Sequence, residues 1–330
     1  MGRPGEGPAG PAKGEPMSLH TDHDVAPATA RLRALLHAGA PVPVLDAYDA
    51  LSARIVESAG YSAIWASGLG ISASYGLRDN NEASWTQILD SLELMAEATD
   101  VPILVDGDSG FGNFNNVRRF VKKIGQRGLA GVCIEDKAYP KANSFAERTH
   151  ELCPAGEFCG KIRAAKDSQP DDDFVVVART EALIAGHGLD AALARAEAYR
   201  HAGADAILVH SKAATADEVA AFAARWDGRA PLVVVPTTYA DTPAETFQRM
   251  GVSLVIWANF TLRAAIQGIE NACAAQRANG GAPEPGDARY APLQRVFELT
   301  NEPELRAAEQ HYLPAGGEDA APARLRATGS

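Results

Sequence analysis

Val101–Asn113, VPILVDGDSGFGN, carries an apolar run into two carboxylates and then turns on two glycines. Ile103–Asp106 reads as a short buried strand. Gly110 and Gly112 permit a tight loop, and Asn113 is a good cap for the helix-like segment Asn115–Arg127. Gly128 suits the end of that helix, and a second apolar run, Gly131–Glu135, follows. Asp106 and Asp108 sit where a buried strand meets a loop, a costly place for charge unless something compensates it. A hard divalent cation such as Mg2+ is one solution, and turn and helix-capping chemistry is the other. This stretch by itself leaves both open.

The unit recurs along the chain. Apolar runs stand at Val42–Asp46, Ala63–Ser67, Ile103–Asp106, Gly131–Glu135, Phe174–Arg179, Ala206–His210, Leu232–Pro236 and Leu254–Ala258. Between and after them lie helix-like segments at Ala50–Ala59, Ser84–Thr99, Asn115–Arg127, Gly156–Asp167, Leu189–Ala202, Ala216–Trp226, Pro243–Met250 and Thr261–Ala278. Eight alternations predict an α/β fold of the (β/α)8 barrel type. Gly60, Gly128, Gly203 and Gly251 precede the even-numbered strands and suit helix C-caps. A doubly wound open sheet would place a glycine-rich phosphate loop after the first strand, and LDAYDALSA has no glycine.

Residues 1–27, rich in Gly and Pro, read as a disordered leader, 28–279 as the barrel, 280–288 as a linker, 289–313 as a C-terminal helical extension and 314–330 as a flexible tail. The 330 residues are 46% hydrophobic and 22% charged, enough for a large core. A formal charge of −11 argues against nucleic acid or an anionic membrane as partner. No apolar run approaches the about 20 residues that span a bilayer. Cys133, Cys153, Cys159 and Cys273 show no CxxC spacing and read as reduced thiols of a cytoplasmic protein.

The residues that close the strands are Asp46, Ser67, Asp106 with Asp108, Glu135 with Asp136, Arg179 with Glu181, His210, Thr237 and Asn259. In a barrel they converge on the C-terminal rim, where such folds build their sites. Asp106, Asp108 and Glu135 offer hard oxygens to Mg2+, partly through water. Arg179 and His210 offer positive or hydrogen-bonding groups to an anion. Ser67, Gly68 and Leu69 form a small-residue loop whose amides suit a carboxylate or enolate oxygen. The composite fits a small oxyacid with two anionic groups. Lys137–Cys153 is too long and polar for a plain connection and reads as a lid that excludes water.

WASGLGISASYGLRDNNEASW, VDGDSGFGN, GVCIEDKAYPKANS, VVVARTEALIAG and GADAILVHSK together closely resemble the phosphoenolpyruvate mutase family of the isocitrate lyase superfamily, from about Pro41 to Ala275. The resemblance implies a Mg2+-dependent barrel with its eighth helix swapped between subunits of a dimer or tetramer. It implies interconversion of phosphoenolpyruvate and phosphonopyruvate. By resemblance, Asp106 is the direct metal ligand, with Asp108 and Glu135 acting through water. Trp65, Ser67, Gly68 and Leu69 line the substrate pocket, and Arg179 and His210 contact anionic groups of the substrate. Asp79 matches a catalytic acid. Lys141, Asn143 and Ser144 fall on a gating loop, where Asn143 meets the migrating phosphoryl group.

The lyases of this superfamily carry a lid cysteine in a KKCGH-like motif, which KAYPKANS lacks. Phosphonopyruvate hydrolases share nearly every site residue but tend to have threonine where Asn143 stands. A barrel that binds an oxyacid without catalysis is the remaining alternative. Gly107 and Thr180 depart from the family pattern, where Ala and Val are more typical.

Overall fold

The computed structural model describes residues 26–147, 149–281 and 286–313. The expected leader, apart from residues 26 and 27, and the expected tail lie outside the described residues, as does part of the expected linker. Eight parallel strands close into a barrel in sequence order: β1 (Val42–Ala47), β2 (Ile64–Ala66), β3 (Ile103–Asp106), β4 (Gly131–Glu135), β5 (Val175–Thr180), β6 (Ala206–Val209), β7 (Leu232–Val234) and β8 (Val252–Trp257). Pairing of Val42–Leu45 with Leu254–Trp257 seals β1 to β8, so no sheet edge remains. Each strand overlaps its predicted run. Gly60, Gly128, Gly203 and Gly251 all take left-handed φ, between 68° and 105°, as helix-ending glycines do.

The helices are α1 (Ala28–Leu36), α2 (Ala50–Ser58), α3 (Gly68–Ser74), α4 (Trp85–Ala98), α5 (Phe114–Gly125), α6 (Ala155–Lys166), α7 (Gly188–His201), α8 (Asp217–Trp226), α9 (Ala244–Arg249), α10 (Phe260–Ala278), α11 (Leu293–Leu299) and α12 (Glu302–Tyr312). Two layers of core result. Inside the barrel, Val44, Leu104, Val175, Val177, Leu208 and Leu254 pack on one another, and Leu32 and Leu36 of α1 plug the N-terminal end. Outside, the opposite faces of the strands pack under the helices through residues such as Val105, Phe120, Ile162, Tyr199 and Phe222. This alternation follows from the period of two along a strand. No helix of the described residues is long and apolar enough to cross a membrane.

One expectation needs correction. Gly68–Ser74, read as loop, is helical: the Ser67 side chain accepts from the Gly70 amide and caps α3. The C-terminal extension comprises two helices, α11 and α12. Asn301 breaks it with a φ of 59°, and Pro303 follows in the first turn of α12, where a missing N–H costs little.

The turn after β3 is stitched to β4. Gly107 N–H donates to the Cys133 carbonyl (2.7 Å), and Glu135 N–H donates to the Asp108 carbonyl (2.7 Å). A Cβ on Gly107 would lie 2.6 Å from Val132 Cγ2 and 3.0 Å from the Cys133 oxygen. Glycine at this unusual position is therefore what the neighbouring valine permits. Gly107→Ala is expected to destabilise the fold by about 1–3 kcal/mol through overpacking, read by chemical denaturation. Pairing it with Val132→Ala should restore part of the loss, and an unchanged midpoint in the single variant refutes this packing account.

Candidate active site

A small cavity opens at the C-terminal ends of the strands. Trp65, Ser67 and Leu69 line it from β2 and the start of α3; Asp106 and Glu135 from β3 and β4; Arg179 and His210 from β5 and the end of β6. Asp79, Lys141, Asn143 and Ser144 close it from above. Gly68 and Asp108 stand just behind this lining. A Cβ on Gly68 would meet Asp108 Oδ1 at 3.0 Å and Asp106 Oδ2 at 3.1 Å, so glycine lets α3 approach the two acids without displacing them. The Gly68 amide donates to Asp106 Oδ2 (3.2 Å), which removes it from the set of amides free to meet a ligand.

Not every polar strand end faces the cavity. Asp46 is fully buried and accepts from the Thr261 amide (3.0 Å) and hydroxyl (2.6 Å), clamping α10 to β1. Asp136 accepts from Tyr199 Oη (2.6 Å), Arg195 Nη1 (3.1 Å) and the Glu181 amide (2.8 Å) behind β5. Lys137, Phe145, Val235, Thr237, Ala258 and Asn259 also line the cavity. Of these, Thr237 and Asn259 were visible as strand ends, and Lys137 as the first residue of the lid. The apolar Val235 and Ala258 carried no signal beyond their strands.

The lid lies shut. Its base is pinched by an antiparallel bridge between Lys137 and Leu152. Lys141 Nζ lies 2.8 Å from Asp79 Oδ1 and 2.5 Å from Asp108 Oδ1. Asn143 Nδ2 donates to Asp79 Oδ2 (2.7 Å), and Asn81 bridges Asp108 Oδ2 (2.8 Å) to the Lys141 amide (2.8 Å). Burial opposes the charge on Asp79, yet Lys141 and Asn143 hold its carboxyl below the ordinary range. Burial equally opposes the charge on Lys141, and Asp108, Asp79 and Asp106 hold its ammonium well above the ordinary value.

Five carboxylates crowd this end of the barrel: Asp79, Asp106, Asp108, Glu135 and Glu181. Three cations, Lys137, Lys141 and Arg179, stand among them. With all ionised, five negative against three positive charges leave two negative charges uncompensated, the charge of one divalent cation. Burial, reinforced by Glu135 and Asp79, pushes Asp106 above the ordinary range, and burial pushes Asp108 up to about 8. Glu135 Oε1 is buried without a hydrogen-bond partner. Among the described residues no three His, Cys, Asp or Glu side chains close on a single point. One direct carboxylate ligand, with the rest acting through water, fits this spacing and the habits of Mg2+.

On the opposite wall Arg179 Nε donates to Glu181 Oε1 (2.5 Å) and lies 3.3 Å from Glu135 Oε2. His210 Nδ1 lies 2.7 Å from both Glu181 Oε1, an acceptor, and Arg179 Nη2, a donor, and serves one or the other according to the ring's tautomer. Its Nε2 is buried without a partner, as is Thr237 Oγ1. Burial and Arg179 lower the His210 pKa, against the pull of Glu181. An anion at Nε2 would favour the imidazolium, as Glu181 already does from the other side. Two orphaned polar atoms, a guanidinium and an acid cluster thus face one small space.

Comparison with known proteins places this arrangement. The family model described as phosphoenolpyruvate phosphomutase matches residues 32–277. A phosphoenolpyruvate phosphomutase of Tetrahymena pyriformis is 49% identical over 271 residues, 82% of this chain and 90% of that protein. The crystal structure of a phosphoenolpyruvate phosphomutase from Streptomyces platensis subsp. rosaceus superposes with a TM-score of 0.84 at 44% identity, covering 87% of this chain and 99% of that one. A phosphonopyruvate hydrolase in complex with oxalate and Mg++ superposes with a TM-score of 0.82 at 38% identity, covering 88% and 100%. The chain belongs to the phosphoenolpyruvate phosphomutase family.

Proposed function

We propose that the protein interconverts phosphoenolpyruvate and 3-phosphonopyruvate, moving a phosphoryl group between the enol oxygen and C3 in a Mg2+-dependent isomerisation. Asn143 carries this reading. The shut lid sets its amide against Asp79 at the cavity, at the position where the hydrolases tend to have threonine. The match to the phosphomutase relatives supports the same choice.

Asp106 would hold Mg2+ directly, with Asp108 and Glu135 through water. The bound cation would supply Lewis-acid stabilisation of the pyruvate enolate. Of the N-terminal amides of α3, that of Gly68 donates to Asp106 and that of Gly70 to Ser67 Oγ, and the Leu69 amide suits the carboxylate end of the substrate. Trp65, Ser67 and Leu69 shape that wall. Arg179 and His210 Nε2 hold anionic oxygens, and Thr237 Oγ1 adds a donor beside them. Lys141, Asn143 and Ser144 bound the space in which the phosphoryl group moves. A loose, metaphosphate-like transition state needs positioning and charge stabilisation more than a nucleophile. Both oxygens of Asp79 are engaged, by Lys141 and Asn143, which favours an orienting role for it over attack on phosphorus.

Water exclusion separates isomerisation from hydrolysis. Phe145 meets the His210 ring edge-on, centroids 5.8 Å apart, and covers the cavity beside Ser144. The four unpaired cysteines fit a reducing compartment, and we place the enzyme in the cytoplasm. We also propose a dimer or tetramer that exchanges α10. None of its 19 residues is buried, and Ile266 and Ile269 are 48% and 63% exposed.

Incubated with phosphonopyruvate and Mg2+, the protein is expected to yield phosphoenolpyruvate by phosphorus NMR. Inorganic phosphate with pyruvate would identify a hydrolase instead. Asn143→Ala should lower kcat by about 100-fold or more, the usual cost of a lost transition-state donor, and unchanged turnover removes it from the phosphoryl site. A proton must leave Asp108 before it can serve a cation, so Mg2+ affinity should rise between about pH 6 and pH 8 and level off above. Calorimetric titration across that window checks this, and a flat profile contradicts it. Light scattering should report two or four times 34.7 kDa, and a monomer would exclude the exchanged helix.

A further inference from the structure

Glu181 stands behind the cavity, two residues past Arg179, with a fully buried side chain. An isolated carboxylate there would be strongly unfavourable, and four polar groups surround this one. They divide by oxygen. Oε1 accepts from Arg179 Nε (2.5 Å) and lies 2.7 Å from His210 Nδ1, which Arg179 Nη2 also meets at 2.7 Å, and both residues reach the cavity. Oε2 meets two groups of the lid, the Ser144 hydroxyl (2.8 Å) and Lys137 Nζ (3.2 Å).

The lid pair is itself joined. Lys137 Nζ donates to Ser144 Oγ (2.5 Å) and to the Ala142 carbonyl (2.8 Å). Ser144 Oγ also accepts from Arg179 Nη2 (3.1 Å). The mount is rigid, because the Glu181 amide is pinned to Asp136, which Tyr199 and Arg195 of α7 hold in turn. A carboxylate serving only to neutralise Arg179 would not need its second oxygen tied to the lid.

We propose that Glu181 is a positioning residue that couples seating of the lid to the aim of Arg179 and His210. With the lid shut, Ser144 and Lys137 satisfy Oε2, and Oε1 fixes the guanidinium and the imidazole toward the substrate. With the lid lifted, Oε2 loses both its donors and Arg179 loses Ser144, so the two cavity-facing groups lose part of their restraint. Arrival of the lid thus completes the anion-holding wall. The inference rests on the reading of the cavity as the phosphoenolpyruvate site.

Glu181→Gln tests it with little change of shape. Arg179 donates to one oxygen and Lys137 and the Ser144 hydroxyl to the other, so the new NH2 must oppose a cation whichever way it turns. The variant is expected to lose kcat by about 100-fold with KM changed less than about threefold. Ser144→Ala should cost about tenfold in the parent and less than about twofold in the Glu181→Gln background. Additive effects overturn the coupling.

Trypsin supplies a readout independent of turnover. Lys141 is 6% exposed, so cleavage after it reports lid opening. Oxalate with Mg2+ should slow that cleavage about tenfold in the parent and leave it unslowed in Glu181→Gln. Equal protection in both overturns the proposal. Should Glu181→Gln fail to fold, 15N-histidine spectra of Ser144→Ala decide: a displaced His210 Nδ1 signal supports the relay, and an unmoved one overturns it. Failure of the parent to turn over phosphonopyruvate would sink the functional reading alone, because the protease and NMR readouts still decide the coupling.

Discussion

An excess of buried negative charge governs this end of the barrel. Asp106, Asp108 and Glu135 arrive on adjacent strands, Asp79 descends from the segment after α3, and Glu181 lies beneath Arg179. No arrangement of Lys137, Lys141 and Arg179 balances all five. Burial, with Asp106 and Asp79 adding to it, drives Asp108 up against the pull of Lys141, which the lid brings down between Asp79 and Asp108. A divalent cation would relieve the same excess without a proton, and on the proposed function this deficit is what would couple metal, lid and substrate.

The lid is built to meet that deficit. Lys141 sits between Asp79 and Asp108, Asn143 is fixed on Asp79, and Ser144 with Lys137 closes on Glu181. Each contact joins a loop residue to a carboxylate that the barrel holds rigidly. A charged loop over a shut cavity also removes water, which lowers the local dielectric and strengthens the contacts it makes. For a phosphoryl group passing through a loose transition state, that dryness separates transfer to carbon from transfer to water.

Most of the frame was legible in the chain. The strand runs from Val42 to Ala258, the cap at Asn113, and the glycines before the even strands are all local patterns, and each appears where it was expected. The small-residue run Gly68–Ser74 escaped because glycine and serine argue against a helix, and the Ser67 cap together with packing against α4 overrides that preference. Position in the cavity was legible for Asp106, Glu135, Arg179 and His210, because a barrel must bring its strand ends together.

The sequence by itself determined that eight strands close into a barrel and that acids, an arginine and a histidine gather at one rim. Those features depend on residues near one another in the chain, through periodicity, capping and turn chemistry. Only the tertiary structure decided which acids face the cavity. Asp46 turns to Thr261 across 215 positions and Asp136 to Tyr199 across 63, and both are lost to the site. It also decided that Glu181 joins lid and wall, and that Lys141 lies between two acids. A side chain's charge is written at its own position, but its partner is chosen by closure of the chain upon itself.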